Sequence, residues 1–272
     1  MKNVIELTPE YIDYNMFPLK EKIEGEPMTI IIGALADGGN SLIAMADKLT
    51  TAGGLSENIS KIRQISKKTV VLTSGFVQNY LFLDEAKKEI ENIENIKQLT
   101  EKIAEYYLNY RLGKIQREIL PLYGLRSIED YLLKQKNMVE FVVGSLTEQI
   151  KNLNIYVDFI VAGIDEIGHV FHVGHPGTYA CFDANGYICM GAGALCSLPV
   201  FEYLKYDKTL PLEEVKKICF CAKKRSEKMG GIGEDTEIIA ITNDGIMIES
   251  ETDLKKIKDS YEKIKKENQL FF

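Results

Sequence analysis

Two short apolar runs separated by a polar, glycine-containing break form the most strongly patterned stretch of the chain. The runs cover residues 29–35 and 41–46, and the break between them includes Asp37-Gly38-Gly39-Asn40. Asp-Gly and Gly-Gly pairs favour the positive φ angles of tight turns between antiparallel strands. The pattern therefore predicts a β-hairpin, which a hydroxyl residue, Thr29, opens and an acid, Asp47, closes.

The apolar spacing along the rest of the chain predicts alternating groups of helices and strands. Two long helices are expected at about residues 77–96 and 99–120, and Ser127 is a good cap for a third. Residues 138–154 fit a strand or a helix equally well. Strands are predicted at residues 69–73, 156–165, 169–174, 187–191, 237–242 and 246–250, and further helices at residues 195–205, at 211–228 and from Leu254 onward.

This order of elements predicts the fold class. Strands, two helices, strands, two helices and strands suit an α+β protein in which two antiparallel sheets carry helix pairs on their outer faces. The expected architecture is a four-layer α-β-β-α sandwich. No internal repeat or linker separates a second domain, so we expect a single domain over residues 29–272 after an amino-terminal segment, residues 1–28, in which Thr8 caps a short helix.

Composition and charge narrow the class of function. The net charge of −7 disfavours a nucleic-acid surface, because Lys and Arg are not in excess over the acids. No apolar run approaches 18 residues, and the amino terminus lacks the apolar region of a secretory signal. The cysteines have no CxxC spacing and are expected to be reduced thiols of a cytoplasmic protein. They are Cys181, Cys189, Cys196, Cys219 and Cys221.

Two motifs that suggest a ligand are better explained by local structure. His169, His172 and His175 are three residues apart, so in a strand neighbouring members point to opposite faces and do not converge on a metal. The glycine-rich residues 230–233 lack the Lys-Ser/Thr of a phosphate loop and suit the end of a helix. No cofactor or metal is therefore expected.

Short strings of sequence occur in a characteristic order between residues 29 and 249. They are TIIIGALADGGNSLIAMADK (29–48), SKI (60–62), TSG (73–75), VAGIDEIG (161–168), HPGTY (175–179), MGAG (190–193), LPLEEVKK (210–217) and EIIAITNDGI (237–246). As an ordered set, they resemble the proteasome family of amino-terminal nucleophile (Ntn) hydrolases. The resemblance implies the sandwich fold and the cleavage of peptide or other amide bonds.

In catalytic members of that family a propeptide is removed, and the exposed threonine attacks the substrate with its own α-amine as general base. An α-amine titrates at about 7.7–8.0, close to working pH, whereas an internal threonine lacks such a base. The resemblance places Thr29 at the nucleophile position and Asp47 and Lys61 beside it. Gly75 matches the glycine whose backbone N–H helps to bind the oxyanion.

Several positions depart from the family pattern. Ala192 replaces a supporting serine, Met229 and Ile232 mark the region where an Asp-x-x-Ser is expected, and Met28 stands where self-processing members have glycine. The segment near residues 113–154 is longer than usual and is predicted to be a helical insertion.

The string TSGFV at residues 73–77, the LPLEEVKK helix and the charged tail instead resemble the non-catalytic α-type subunits. The leading expectation is therefore a threonine-type peptidase or amidohydrolase that assembles with itself or with related subunits. A structural or assembly subunit that retains residues 1–27 is the alternative. A third possibility is an Ntn amidohydrolase that acts on a small amide.

Overall fold

The structure is a computed structural model that describes residues 28–52, 55–76 and 82–268. The fold is mixed α+β, with two five-stranded antiparallel sheets. The amino-terminal segment, with the helix predicted after Thr8, lies outside the described residues, and the single-domain boundaries stay a prediction. No helix in the described ranges is long and apolar enough to cross a membrane.

The strands and helices in the described residues are numbered in chain order. The strands are β1 (Ile31–Ala36), β2 (Ser41–Asp47), β3 (Leu49–Ala52), β4 (Leu55–Asn58), β5 (Ile62–Gln64), β6 (Thr69–Gly75), β7 (Val157–Ile164), β8 (Gly168–Gly174), β9 (Thr178–Cys181), β10 (Tyr187–Met190), β11 (Thr236–Thr242) and β12 (Gly245–Ile248). The helices are α1 (Phe82–Ile90), α2 (Ile96–Lys114), α3 (Ile128–Lys134), α4 (Glu140–Asn152), α5 (Ala194–Tyr203), α6 (Leu212–Ser226) and α7 (Glu251–Glu267). The first sheet has the order β10-β1-β2-β11-β12 and the second β5-β6-β7-β8-β9, while β3 and β4 form a separate pair.

The predicted hairpin is confirmed and forms the centre of the first sheet. Strands β1 and β2 pair antiparallel along their whole length. Asp37, Gly38 and Gly39 between them have φ angles of 51°, 68° and 92°, the positive values expected for this turn. Every residue of both strands is buried, which explains their continuous apolar runs.

Three hydrophobic clusters account for the packing of the sheets. Alternate residues of β1 point to opposite faces, so Ile32 packs with α5, α6 and α7, whereas Ile31 packs with the second sheet. Leu72 and Ile160 supply the second sheet's side of that shared cluster. The other face of the second sheet, which includes Phe159, packs against α1 and α2.

The long helices differ from the prediction at their ends. The first was expected over residues 77–96, but α1 ends at Ile90 and residues 77–81 lie outside the described ranges. Helix α2 begins at Ile96, earlier than residue 99, because the side chain of Asn95 accepts a hydrogen bond from the Gln98 backbone N–H at 2.9 Å. Residues 138–154, which fitted either element, contain helix α4.

The sequence pattern also missed several short strands. Strands β5 and β9 lie at the two edges of the second sheet, and all four residues of β9 are exposed. Edge strands are held by backbone hydrogen bonds to one neighbour and need no alternation of apolar side chains. The pair β3 and β4 is similarly short, with the polar residues 56–58 in its second strand.

Residues 115–153 include a small apolar cluster of their own, in which Ile115, Tyr131 and Leu146 are buried. The Arg111 side chain ties this region to α2, since its guanidinium donates to the carbonyl oxygens of Ile150 at 2.6 Å and Leu153 at 2.9 Å. These carbonyls lie at the carboxyl end of α4, where helical acceptors lack partners and a cation is favoured. That this region is an insertion relative to a family stays a prediction.

Candidate functional site

Thr29 and Asp47 lie side by side where β1 begins and β2 ends. The pairing of the two strands continues past β1, because the Asp47 backbone N–H donates to the carbonyl oxygen of Ile30 at 3.2 Å. The Thr29 hydroxyl donates to Oδ1 of Asp47 at 2.6 Å, and the Ile30 N–H donates to the same oxygen at 3.0 Å. Asp47 is fully buried, so the carboxylate depends on these protein donors.

Lys61 reaches the pair from the segment that precedes β5 in the second sheet. Its ammonium donates to Oδ1 of Asp47 at 2.7 Å and also to the hydroxyl oxygen of Thr29. Only 6% of Lys61 and 2% of Thr29 are exposed. The Thr29 hydroxyl therefore donates a proton to a carboxylate while it accepts one from a lysine, and the three side chains form a closed, buried set of hydrogen bonds that we call the triad.

Burial sets the protonation chemistry of the triad. It lowers the pKa of Lys61 below the ordinary lysine value, and the nearby Asp47 carboxylate opposes that shift. The Lys61 ammonium donates to the hydroxyl oxygen of Thr29, so it places a positive charge beside that oxygen. The arrangement has the features of an activated oxygen nucleophile, namely a hydroxyl, a titratable nitrogen and an orienting carboxylate.

Gly191 packs directly against Thr29, Ser74 lies close to the same glycine, and neither was singled out from the sequence as a site residue. A Cβ on Gly191 would lie 2.5 Å from the Thr29 carbonyl oxygen, 2.7 Å from Thr29 Cγ2 and 2.9 Å from Ser74 Oγ. Gly191 also has a φ of 92°, so both the space and the backbone angle require glycine. Its place in the string MGAG was the only sequence feature that pointed to it.

Gly75 occupies the last position of β6, next to Ser74. Its φ is 125°, and a Cβ there would lie 2.0 Å from the carbonyl oxygen of Tyr156. The structure thus brings Thr29, Asp47 and Lys61 into direct contact. Gly75 follows Ser74, whose Oγ lies near the same Gly191 position as Thr29. The role of its N–H toward an oxyanion stays a prediction.

Gly75→Ala is expected to destabilise the protein by about 2–4 kcal/mol, because the new methyl group forces β6 away from Tyr156 and strains the backbone. Gly38→Ala is the matched control, since Gly38 also has a positive φ, 68°, but no atom lies within 4 Å of its Cβ position. That control should cost only about 1 kcal/mol. Urea unfolding of both variants measures the difference, and equal losses would contradict the steric explanation.

The residues that depart from the family pattern bring apolar groups close to Thr29. The Gly193 N–H donates to the Thr29 carbonyl oxygen at 3.0 Å, and a Cβ on Gly193 would lie 2.7 Å from Cδ1 of the buried Ile232. A Cβ on Gly231 would lie 2.9 Å from Cβ and Cγ of Met28. Ile232 belongs to the apolar cluster between the first sheet and helices α5, α6 and α7, and Met28 packs against that cluster.

The histidines and cysteines lie outside the triad. His169 contacts Asp183 at 2.6 Å, and His172 contacts Asp158 at 2.8 Å, so the two rings have separate partners. Within the described ranges no group of three His, Cys, Asp or Glu residues is arranged to hold a metal ion. The five cysteines are all free; Cys189, Cys219 and Cys221 are buried, Cys181 is exposed and Cys196 is half-buried.

Two further residues complete the surroundings of Asp47, and neither was predicted. The Gly233 backbone N–H donates to Oδ2 of Asp47 at 3.2 Å, and the buried Lys223 of α6 holds the backbone at Gly233. Gly233 belongs to the glycine-rich stretch that was interpreted only as a helix end.

No family model matches the chain, and a search of curated proteins found no match.

Proposed function

We propose that the chain is a threonine-type Ntn hydrolase with a proteasome-like four-layer α-β-β-α sandwich, and that it cleaves peptide or other amide bonds through Thr29. One observation carries the proposal: Thr29, Asp47 and Lys61 form a buried, mutually hydrogen-bonded triad. The three apolar clusters, two against helices and one between the sheets, support the layered fold. The order of the matching sequence strings adds independent support.

The proposed reaction begins with cleavage of the peptide bond between Met28 and Thr29, which frees the Thr29 α-amine. The amine accepts the hydroxyl proton while the hydroxyl oxygen attacks the substrate carbonyl carbon. The Lys61 ammonium, held by Asp47, stabilises the negative charge that develops, and the Gly75 N–H is assigned to the oxyanion. The protonated amine then gives its proton to the departing amine, which leaves an ester on Thr29 for water to hydrolyse.

A non-catalytic structural or assembly subunit is the second candidate. The Thr29 hydroxyl is almost completely buried, and both of its hydrogen bonds are made inside the triad. Ala192, where the family pattern has serine, also favours this alternative. In that case the bond before Thr29 stays intact, and the triad serves as a buried polar link between the two sheets.

Intact-mass measurement of the purified full-length protein tests which candidate is correct. The hydrolase proposal expects a species that begins at Thr29 and lacks residues 1–28, with Thr29→Ala remaining full length because the attacking hydroxyl is gone. The processed species should also gain one equivalent of a threonine-directed β-lactone. Persistent full-length protein without acylation would rule out the hydrolase proposal and leave the structural subunit.

The proposal extends to the surroundings of the protein. Peptides or small amides are its substrates, copies of itself or related subunits are its assembly partners, and the cytoplasm is its location. Size-exclusion chromatography with light scattering tests the assembly: a particle several times the 30.7 kDa chain mass supports it, and a monomer at micromolar concentration contradicts it.

A further inference from the structure

Lys223 is a fully buried lysine on the face of α6 that packs against the first sheet. Its ammonium donates to the carbonyl oxygens of Gly233 at 2.7 Å and Glu234 at 2.8 Å, and to the carboxylate of Glu227. Three acceptors match the three protons of an ammonium group. Lys223 therefore joins α6 to the backbone that leads into β11.

The backbone held by Lys223 is the same backbone that contacts Asp47. Gly233 accepts from Lys223 through its carbonyl oxygen and donates through its N–H to Oδ2 of Asp47 at 3.2 Å. A Cβ on Gly233 would lie 2.5 Å from Cβ of Leu49, so the segment is closely packed on its other side. Three residues later, Thr236 pairs with Asp47 in the sheet. Gly233 thus connects Lys223 directly to the triad.

We propose that Lys223 is a positioning residue for the triad, which orients the Asp47 carboxylate by holding the Gly233 N–H against it. Lys61 and Thr29 contact Oδ1 of Asp47, whereas the Gly233 N–H contacts Oδ2. Lys223 holds Gly233 in place and so fixes the donor to Oδ2. A carboxylate held at both oxygens has little freedom to rotate. The consequence for catalysis rests on the function proposed above, but the effect on Gly233 does not.

The charges around Lys223 fit this role. Burial lowers the pKa of Lys223 to about 8, the carboxylates of Glu227 and Asp47 oppose that shift, and the neighbouring Lys224 adds to it. The three acceptor oxygens around Nζ match the protonated form of the side chain, which has three donors. Asp47, which is fully buried, is in direct contact with Lys61 and is linked to Lys223 through Gly233.

Helix α6 also supplies a matched control. Lys216 is buried, with 4% exposed, and its ammonium pairs with Glu249 at 2.6 Å and Glu213 at 2.7 Å. Glu213 lies in the first turn of α6, and Glu249 directly follows β12. Lys216→Met therefore removes a buried, paired ammonium from the same helix without touching Gly233.

Amide hydrogen exchange of glycine-labelled full-length protein is the first test. Lys223→Met should speed exchange at Gly233 roughly tenfold or more relative to Lys216→Met, because the segment loses its anchor. Glu227→Gln weakens a single one of the three bonds and should cause a smaller acceleration, so it serves if Lys223→Met does not fold. Unchanged Gly233 exchange in a folded Lys223 or Glu227 variant would overturn the proposal.

Acylation by a threonine-directed β-lactone is the second test. Lys223→Met should lower the maximal acylation rate roughly tenfold while the inhibitor constant stays unchanged, because it misorients the triad without altering the binding surface. Lys223→Arg should recover part of the rate, and Lys216→Met should retain all of it. An unchanged rate in folded Lys223→Met contradicts the positioning role. If wild type is not acylated, the proposed function fails, and Gly233 exchange still decides the inference.

Discussion

Thr29→Ala is expected to reduce amide hydrolysis by a factor of roughly 10⁴–10⁶, the range found when a nucleophile is removed from a catalytic triad. The alanine retains the fold of the strand but provides no oxygen to form an acyl-enzyme. The loss should be measured on fluorogenic peptide amides with protein whose chain begins at residue 29, released from a cleavable leader. This design separates the chemistry of the nucleophile from the processing of the bond before it.

Thr29→Ser is the matched control for that experiment. Serine keeps the oxygen that contacts Asp47 and Lys61 and loses only Cγ2, which lies 2.7 Å from the position of a Cβ on Gly191. Its rate should remain within about two orders of magnitude of wild type, well above that of the alanine variant. Hydrolysis that survives Thr29→Ala unchanged would show that the triad is structural and would favour the assembly subunit.

Asp47→Asn is expected to lower the free energy of unfolding by about 3–5 kcal/mol, the cost of leaving a buried cation without its counter-ion. Asp47 is fully buried and accepts hydrogen bonds from Thr29, Ile30, Lys61 and Gly233. Asparagine replaces one of the two acceptor oxygens by an NH2 group, which is a donor and faces other donors. Such a loss is a large share of the stability of a typical domain, about 5–15 kcal/mol. Urea unfolding followed by circular dichroism measures it.

The effect of pH on this variant has a definite sign. Without Asp47, the folded-state pKa of Lys61 is depressed further, because burial lowers it and the opposing carboxylate is gone. The unfolded chain then binds more protons between that value and the ordinary lysine pKa, so stability rises with pH through this window. The deficit should therefore be largest near neutral pH and shrink toward pH about 10.

The double variant Asp47→Asn/Lys61→Met separates the ion pair from the hydrogen bonds of the backbone. Removal of both charges should restore part of the lost stability, since no buried ammonium remains unpaired. The free energy of unfolding of the double variant should also lack the increase with pH that Lys61 causes in Asp47→Asn. A double variant that is less stable than Asp47→Asn alone would contradict the view that the unpaired Lys61 charge dominates the cost.

Much of the secondary structure could be predicted from the sequence because its causes are local. Asp37-Gly38-Gly39 supplies the positive φ angles of the turn, and Ser127 caps α3 by accepting from the Asp130 N–H at 3.1 Å. The errors had one local and one non-local cause. Asn95 moved the start of α2, and the exposed edge strand β9 had no alternating apolar pattern to detect. Edge strands depend on their neighbours more than on their own residues.

The candidate site was predictable only in part. Thr29, Asp47 and Lys61 were grouped through a family resemblance, and the structure places the three side chains in contact. Gly75 is the residue after Ser74, which lies close to Gly191. Lys223 escaped detection because a lysine within a helix pattern normally points to solvent, and only the packing of α6 against the first sheet shows that this one is buried.

The sequence by itself determined the hairpin, the apolar faces and the presence of most helices, because each depends on residues a few positions apart. Tertiary structure alone decided that Gly233, and Lys223 through it, complete the surroundings of Asp47. Its contacts join residues 14 positions apart at Lys61 and 186 apart at Gly233. Such contacts form only when both sheets and α6 pack together, since a buried carboxylate is tolerated only where several donors converge on it. A local sequence pattern cannot indicate that these distant donors meet at Asp47.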